Sequence, residues 1–485
     1  MNPKKNKDSE ILPTKHKNTA NYSYLCQSKI TYLLRKHLKF ETEMKVLKFG
    51  GTSVGSAQRM KDVAKLIADG EQKIVVLSAM SGTTNTLVEI SDYLYKKNPE
   101  GANEIINRLE SKYKQHIDEL YTTEEYKQKT LDFVKSVFDY IRSFTKDIFT
   151  LFEEKVILAQ GEIISTNMVT NYLCEQGIKT YLIPALEFMR TDKNSEPDLN
   201  YIREKLNVQL EAHPGQEIYI TQGFICRNAY GEIDNLQRGG SDYTASLIGA
   251  AINASEIQIW TDIDGMHDND PRVVDKTSPV RQLHFEEAAE LAYFGAKILH
   301  PTCVQPAKYA NIPVRLLNTM EPTAPGTLIS NDTEKGKIKA VAAKDNITAI
   351  KIKSSRMLLA YGFLRKVFEI FESYQTSIDM ICTSEVGVSM SIDNTKHLNE
   401  IVNDLKKYGT VTVDHDMCIV CVVGDLEWEN VGFEAKVIDA LRNIPIRMIS
   451  FGGSNYNISF LIRECDKKKA LQSLSDMLFN GKDKL

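Results

Sequence analysis

Short apolar runs alternate with amphipathic stretches along this 485-residue chain, from about residue 44 to residue 214. Runs of strand length occur at 45–49, 73–78 and 178–184, and stretches with helical period occur at 57–69 and 85–175. Strands that are separated by helices usually pair in parallel and are covered on both faces. The pattern therefore predicts an α/β domain with a mainly parallel sheet sandwiched by helices.

Further segments of the first domain add strands to this sheet, and one segment is a helical insertion. The segment 96–150 is charged and periodic, with few Pro or Gly residues, which predicts an inserted helical subdomain. A stretch rich in Pro and Gly, 321–339, predicts a linker, so we assign 44–335 to this first domain. Its remaining predicted elements are strands at 216–224, 257–261 and 313–317 and helices at 243–252 and 285–299, the last interrupted at Gly295.

Beyond the linker, the order strand, helix, strand, strand, helix occurs twice. Two such copies resemble a tandem pair of ACT domains, small ligand-binding modules with a ferredoxin-like α+β fold. Two unrelated α+β units are the alternative, which the matched order disfavours. We expect the two domains at 340–410 and 411–485. The first copy comprises 346–353, 363–374, 377–384, 387–392 and 397–407, and the second comprises 417–423, 432–442, 446–451, 457–463 and 467–479.

Residues 1–43 differ from the rest of the chain and are rich in Lys, Asn and Tyr. They contain neither the sustained apolar segment nor the small-residue cleavage site of a secretory signal. A single arginine, Arg35, and several acidic residues are unlike a transit peptide. We expect a disordered or artefactual extension, with Met44 as the natural beginning of the folded chain.

The overall charge and the cysteines exclude several functions. A net charge of −4 gives no reason to expect nucleic acid or a membrane as partner. No apolar run reaches the ~18 residues that a transmembrane helix needs. The eight cysteines are scattered, which favours a reducing, cytoplasmic setting. Cys418 and Cys421 lie on a predicted strand, where positions i and i+3 face opposite sides, so we expect no metal site.

One lysine stands immediately before a glycine-rich turn. Lys48 is on the first predicted strand, and Gly50, Gly51 and Ser53 follow it, ahead of the helix at 57–69. Backbone N–H groups in such a turn bind anions, and the helix dipole adds to the attraction. The turn has neither the Lys-Ser or Lys-Thr of a Walker A loop nor a Gly-x-Gly-x-x-Gly motif. It indicates a phosphate site of another type, or else only a tight corner.

Charged residues recur where other predicted elements begin or end. Arg238 stands before two glycines and Asp242, and its planar fork of donors suits a carboxylate. Asp242 alone would be explained as a helix N-cap. Asp262 follows the strand 257–261, at the kind of strand end where open α/β sheets bind ligands. Glu162 interrupts an apolar helix, where it either caps the helix dipole or binds a substrate ammonium group.

Five segments, taken together and in this order, resemble the aspartokinases. The match extends over nearly everything after Met44 and implies an amino-acid-kinase fold followed by two ACT domains. It also implies the reaction: ATP-dependent phosphorylation of the side-chain carboxylate of L-aspartate to 4-phospho-L-aspartate, the first step towards lysine, threonine and methionine. The segments are 48–53, 238–242, 260–262, 270–272 and 294–301.

The same resemblance implies roles for individual residues. Lys48 and Asp242 are the expected catalytic residues. The chain departs from the family pattern at Gln237 and at His267, where many members have glycine and tyrosine, which affects nucleotide affinity and loop closure rather than the reaction. The expected aspartate site comprises Ser78, Thr84, Glu162, Phe224, Arg238 and Ser241. The expected site for ATP, which carries its own Mg²⁺, comprises Lys48, Gly50, Gly51, Ser53, Thr261, Asp262, His267, Asp270, Arg272 and Lys297.

The first predicted ACT domain resembles the effector pocket of lysine-sensitive aspartokinases, although Ala360 replaces the serine of some members. Asp379 and Glu385 suit the two amino groups of L-lysine better than they suit threonine. A pocket that only pairs subunits is the alternative. Because ACT domains usually pair between chains, we expect a homodimer or a larger assembly. The expected effector residues are Met357, Gly362, Phe363, Leu364, Ser377, Ile378, Asp379, Thr383, Ser384 and Glu385.

Two other functions fit parts of the sequence. A kinase for another amino acid, such as glutamate, would share the catalytic motifs but is disfavoured by the ACT pair. A catalytically silent amino-acid sensor is disfavoured because Lys48, Asp242 and Lys297 are all present. A bifunctional kinase–dehydrogenase is not expected, since no dinucleotide-binding domain follows the second ACT domain.

Overall fold

The computed structural model describes residues 44–146, 148–236, 239–295, 300–357 and 361–480. Of the predicted site residues, Arg238 and Lys297 lie outside these ranges, and so do Gln237, Ala360 and the extension 1–43. None of the helices within the described ranges combines the length and apolar character that a membrane span requires.

The first sheet contains eight strands in the order β3-β4-β2-β1-β7-β9-β10-β8, and its six adjacent strands from β3 to β9 are parallel. A small hairpin of β5 and β6 lies beside it. The strands are β1 (Lys45–Phe49), β2 (Lys73–Leu77), β3 (Thr180–Leu182), β4 (Ile218–Gln222), β5 (Ile225–Arg227), β6 (Ile233–Asn235), β7 (Ile257–Thr261), β8 (Gln282–His284), β9 (Val314–Asn318) and β10 (Thr327–Ser330).

Helices cover both faces of this sheet, as its apolar strands predict. Along β1, Leu47 and Phe49 pack with helices α1–α5, whereas Val46 faces the opposite cluster, which includes Leu247 and Ile248 of α8. Strand residues alternate between faces, so Lys48 lies on the same face as Val46, beneath α8. The helices are α1 (Ala57–Ile67), α2 (Thr83–Tyr95), α3 (Pro99–Leu120), α4 (Glu124–Ser143), α5 (Leu151–Glu175), α6 (Ala185–Phe188), α7 (Leu199–Ala212), α8 (Gly240–Ile252), α9 (Phe285–Tyr293) and α10 (Pro301–Tyr309).

Several predicted elements have different boundaries in the structure. The helical stretch 85–175 is divided into α2–α5, because Pro99 begins α3 and Thr150 begins α5 with a capping box completed by Glu153. The helix predicted at 285–299 ends at Tyr293. The predicted linker 321–339 contains β10, which pairs antiparallel with β9. A four-residue strand between Pro and Gly residues is too short to show the alternation of apolar and polar residues that identifies a strand in the sequence.

The second sheet is antiparallel, with six strands in the order β12-β13-β11-β14-β16-β15. Helices α11 and α12 pack on one half of it and α13 and α14 on the other. The strands are β11 (Ile338–Lys353), β12 (Met380–Ser384), β13 (Gly387–Ile392), β14 (Thr410–Gly424), β15 (Ile446–Ser450) and β16 (Asn457–Arg463), and the helices are α11 (Phe363–Ser373), α12 (Leu398–Leu405), α13 (Phe433–Ala440) and α14 (Lys467–Leu478).

The two predicted ACT units share their longest strands. The second half of β11 pairs with β13, whereas its first half pairs only with the end of β14, from Ile338 opposite Gly424 to Lys344 opposite Ile419. The segment 338–344, which precedes the first strand predicted for the first unit, therefore supplies a strand to the second. The limits predicted for the two ACT domains, 340–410 and 411–485, stay predictions. Cys418 and Cys421 of β14 face opposite sides and enter different apolar clusters, as their spacing predicts.

The loop after β7 is bound to the C-terminal half of the second sheet. The backbone N–H of Val341 donates to the carbonyl of Asp268 at 2.8 Å, and Asn269 Nδ2 donates to the carbonyl of Leu471 at 3.1 Å. Val274 is 1% exposed and belongs to the apolar cluster of α13 and α14. This loop of the first domain is therefore part of the core of the C-terminal unit.

We expect Val274→Ala to lower the free energy of unfolding by roughly 1–3 kcal/mol, because it removes two methyl groups from a filled core. Chemical denaturation followed by circular dichroism measures this change. Val431→Ala is the matched control, since Val431 is 95% exposed and its truncation leaves no cavity. Equal stabilities of the two variants would show that the loop does not contribute to the C-terminal core.

Candidate active site

The carboxyl ends of four parallel strands meet at one edge of the first sheet. β1 lies between β2 and β7, and β4 follows β2. The residues after these strands are therefore neighbours in space although they are far apart in sequence. Open α/β sheets bind ligands at this edge.

The turn after β1 is closely packed against the turn after β2. Ser81 N–H donates to the carbonyl of Gly51 at 3.1 Å, and Ser53 N–H donates to that of Gly50 at 3.0 Å. A Cβ added at Gly51 would lie 2.8 Å from the carbonyl oxygen of Ala79, so the close approach of the two turns requires glycine here. The Ser53 hydroxyl is buried and hydrogen-bonded to Thr319 Oγ1 at 2.8 Å. The predicted phosphate loop is thus a rigid corner.

Lys48 and Asp242, the two predicted catalytic residues, form an ion pair. Lys48 Nζ lies 2.7 Å from Asp242 Oδ1, and their side chains are only 11% and 16% exposed. β1 directs Lys48 towards the face covered by α8, and Asp242 stands in the first turn of that helix. An ammonium group and a carboxylate are therefore held together beside the glycine turn.

A cavity of about 310 Å³ opens beside this pair, between the turns after β1 and β2 and helix α5. Ser78 Oγ donates to Ser241 Oγ at 2.9 Å on its wall. Every described residue of the predicted aspartate site contributes to the lining. The lining residues are Gly51, Ser78, Ala79, Met80, Ser81, Gly82, Thr84, Asn85, Glu162, Phe224, Gly240 and Ser241.

Glu162 is the acidic residue of this cavity. Its side chain is buried, Oε1 accepts a hydrogen bond from Ala79 N–H at 3.2 Å, and Oε2 has no hydrogen-bond partner. Burial raises the pKa of the carboxyl to about 7. A buried acceptor without a partner is costly, so this oxygen favours a donor or cation that enters the cavity.

Phe224 has an unusual backbone conformation at the cavity wall. Its φ is +69°, in the left-handed region that a bulky side chain rarely adopts. Two hydrogen bonds hold it there, since its N–H donates to Thr244 Oγ1 at 3.0 Å and its carbonyl accepts from Leu236 N–H at 2.7 Å. Strain of this kind is concentrated at binding and catalytic sites.

A second cavity of about 370 Å³ lies beyond the end of β7. Arg272 makes two hydrogen bonds to Asp270, Nε to Oδ1 at 2.9 Å and Nη2 to Oδ2 at 2.8 Å, and this pairing lowers the pKa of Asp270. His267 Nδ1 is 3.0 Å from Thr277 Oγ1. The cavity is lined by Thr261, Asp262, Ile263, Gly265, His267, Asn269, Asp270, Pro271, Arg272, Leu291, Gly295, Val341, Ala342, Ala343, Lys467 and Leu471.

The described residues of the predicted aspartate site line the first cavity, and those of the predicted ATP site at or beyond the end of β7 line the second. Gly51 lines the first cavity, and Lys48, Gly50 and Ser53 line neither. The structure also adds residues that sequence reasoning missed, namely 341–343, Lys467 and Leu471 of the C-terminal unit. No local motif marks them, because they reach the second cavity only through tertiary packing. Among the described residues, no group of three or more His, Cys, Asp or Glu side chains is arranged to hold a metal ion.

The predicted effector residues surround the start of α11 and the strand β12. Met357, Phe363 and Ile378 belong to one apolar cluster, and Gly362 caps α11 with a φ of +81°. Ser377 precedes β12, whereas Thr383, Ser384 and Glu385 are exposed near its end. Leu364 is partly exposed on α11.

Asp379 is held by side chains that come from other strands and helices. Its side chain is 1% exposed, and Oδ1 accepts from Lys344 Nζ at 2.7 Å and from the hydroxyl of Tyr293 at 2.8 Å. Lys344 also pairs with Asp393 at 2.9 Å. Oδ2 is buried without a partner, and burial raises the pKa of this carboxyl. Asp379 therefore connects the predicted effector region to α9 of the first domain.

Comparisons with known proteins agree with the observed fold. Residues 43–318 match the amino acid kinase family, and residues 420–478 match an ACT domain. Aspartokinase 1, chloroplastic, of Arabidopsis thaliana is 34% identical over 460 residues, which cover 90% of this chain and 80% of that protein. The crystal structure of E. coli aspartokinase III in complex with aspartate and ADP has 32% identity and a TM-score of 0.78, covering 90% of this chain and 100% of that one. The same enzyme in complex with lysine and aspartate has a TM-score of 0.75 at 32% identity and the same coverage.

We expect Glu162→Gln to stabilise the unliganded protein in a pH-dependent way. The pKa of Glu162 rises from an ordinary value of 4.5 to about 7 on folding, so ionisation of this group opposes folding. The free-energy cost of folding with an ionised Glu162 is absent well below pH 4.5 and grows as the pH rises to 7. The gain in unfolding free energy should therefore be about 2 kcal/mol larger at pH 8 than at pH 5.

Urea titrations of wild type and variant at both pH values measure this difference. Glu211→Gln, at an exposed position on α7, is the control and should show no such pH dependence. A gain for Glu162→Gln that is the same at pH 5 and pH 8 would contradict the assignment of a shifted carboxyl.

Proposed function

The chain belongs to the aspartokinases of the amino acid kinase family, and we propose that Lys48 and the turn after β1 transfer the terminal phosphoryl group of ATP to the side-chain carboxylate of L-aspartate. The product is 4-phospho-L-aspartate, which begins the biosynthesis of lysine, threonine and methionine. The observation that carries the proposal is the cavity beside the Lys48–Asp242 pair, with an unpartnered oxygen of Glu162 in its wall.

The nucleophile needs no general base. The side-chain carboxyl of aspartate has a reference pKa of ~3.9 and is ionised at neutral pH. The difficulty is to bring this anion up to the negatively charged phosphate of ATP. Catalysis therefore consists of positioning and of cancelling charge as the phosphoryl group moves. Lys48 supplies positive charge from the chain itself and the backbone N–H of Gly51 adds its dipole, whereas the N–H of Gly50 already donates to the carbonyl of Trp260 at 3.4 Å.

The cavity of about 310 Å³ is the proposed aspartate site. Glu162 binds the α-ammonium group through its free oxygen, and the cation then favours the ionised form of the carboxyl. Arg238 binds the α-carboxylate, a role that rests on the resemblance alone. Ser78, Thr84, Phe224 and Ser241 shape the walls and leave the side-chain carboxylate directed towards Lys48.

The second cavity is the proposed nucleotide site. Because β7 is adjacent to β1, a nucleotide bound near Thr261 and Asp262 can extend its phosphates towards Lys48. His267, Asp270 and Arg272 line the same cavity. Gly50, Gly51, Ser53 and Lys297 complete the proposed set. Mg²⁺ would be carried by the phosphates of ATP and would neutralise part of their charge.

We also propose feedback inhibition by L-lysine through the first ACT unit. The support is the lysine complex of the similar E. coli enzyme and the buried, unpartnered Oδ2 of Asp379. An amino group bound at Oδ2 would share the carboxylate with Lys344 and Tyr293, which bind Oδ1, and this connects the effector to α9. The chains pair through their ACT units in a homodimer or larger assembly. Exposed apolar residues of the first unit, Leu364, Phe368 and Ile381, support this.

Purified protein should form ADP from ATP when aspartate is present and not when glutamate replaces it. Lys48→Ala should lower kcat ~10³-fold or more, because it removes a main electrostatic stabiliser of the transition state. Lys45→Ala is the control, since Lys45 is on the same strand but pairs with Glu71 at the opposite end. A coupled assay for ADP measures kcat of both variants. A Lys48→Ala enzyme that keeps a tenth of the wild-type kcat would disprove the catalytic role of Lys48.

Asp379→Ala should retain activity without lysine and raise the lysine concentration for half-inhibition by at least ~10-fold, the loss expected of a charge-assisted contact. Asp393→Ala is the matched control, because Asp393 also pairs with Lys344 but is not a predicted effector residue. Initial rates at increasing lysine concentrations give both the activity without lysine and the concentration for half-inhibition of each variant. Equal lysine sensitivity of the two variants would rule out Asp379 as the effector ligand.

A further inference from the structure

We propose that Lys467, in the first turn of α14, binds the phosphates of the nucleotide at the kinase site. The C-terminal ACT unit then contributes directly to the site where the first domain binds ATP. This inference rests on the proposed function of the second cavity and adds to it a residue from the other end of the chain.

The first argument is the composition of the cavity. One wall is formed by the loop after β7, with Thr261, Asp262 and Asp270, and the facing wall by β11 and α14, with Val341, Lys467 and Leu471. The facing wall is apolar apart from Lys467. An ammonium group on an otherwise apolar wall of a ligand cavity is suited to an anionic part of the ligand.

The second argument is that this wall is fixed in position. Two hydrogen bonds join the walls. The N–H of Val341 donates to the carbonyl of Asp268 at 2.8 Å, and Asn269 Nδ2 donates to the carbonyl of Leu471 at 3.1 Å. Gly295, in the same lining, has a φ of +124°, and a Cβ there would lie 2.2 Å from the carbonyl oxygen of Ala343. The two backbones approach as closely as glycine permits, so the C-terminal unit packs tightly against the first domain at this cavity.

The third argument concerns charge. Arg272 has two of its hydrogen bonds committed to Asp270, and Asp262 adds a negative charge to the same lining. Lys467 Nζ lies 2.6 Å from Asp345 Oδ2, and Asp345 is not among the lining residues. A lysine ammonium has three donors, so one can be held by Asp345 while two remain for phosphate oxygens. The side chain of Lys467 thus lines the cavity while Asp345 holds one of its three donors.

The test is the affinity for ADP, measured by calorimetry on the full-length enzyme, together with the KM values for ATP and aspartate. Lys467→Gln should raise the Kd for ADP and the KM for ATP about 10-fold, the size of one charge-assisted hydrogen bond. The KM for aspartate should stay unchanged. Lys467→Arg should retain ADP binding, because it keeps the charge and the donors. Lys468→Gln, at the exposed neighbouring position, is the matched control and should bind ADP like the wild type.

A second variant separates binding from a structural role. If Lys467 only neutralises Asp345, the double variant Asp345→Asn/Lys467→Gln regains wild-type ADP affinity, and the proposal is overturned. If Lys467 contacts the phosphates, the double variant stays as weak as Lys467→Gln. Unchanged ADP affinity in Lys467→Gln also overturns the proposal. Failure of the wild type to phosphorylate aspartate would instead refute the proposed function.

Discussion

A cation that lies between a sheet and the helix above it needs a counter-charge, and Asp242 supplies one to Lys48 at 2.7 Å. The pair is largely shielded from water, so removing either partner would leave an uncompensated charge in a poorly solvated place. Lys48 is therefore oriented before any substrate arrives. Preorganised charge of this kind needs no rearrangement at the moment of reaction, which is why it is effective in catalysis.

The order of the strands divides the site into two halves with different electrostatics. On the side of β2 and β4 lies the cavity with the buried Glu162, which favours a cation. On the side of β7 lies the proposed nucleotide cavity, where Arg272 is paired with Asp270 and Lys467 lies on the facing wall. Lys48 stands on the strand between them. The sheet thus places the proposed amino-acid cavity and the proposed nucleotide cavity on opposite sides of the strand that carries Lys48.

Local sequence patterns predicted the parts of this site that lie next to one another along the chain. The run from Lys48 to Ser53 and the isolated acid Glu162 were recognisable because each breaks an otherwise apolar pattern. The partners of Asp379 were not recognisable, since Lys344 and Tyr293 reach it from other strands and helices. Lys467 was missed for the same reason: it is about 200 residues from the loop whose cavity it lines. The shared strand β11 was also missed, because one apolar run does not show that its two halves have different partners.

The strands β11 and β14 each extend through both C-terminal units, and the register of their pairing shifts at the junction, between Lys344 and Ala349. Neither unit can be cut out, exchanged for a homologue or moved as a separate module without leaving unpaired backbone N–H and C=O groups at a new sheet edge. Gene fusion and domain shuffling could therefore transfer this pair only as one block. The two units with the same element order therefore form one sheet that behaves as a single structural domain.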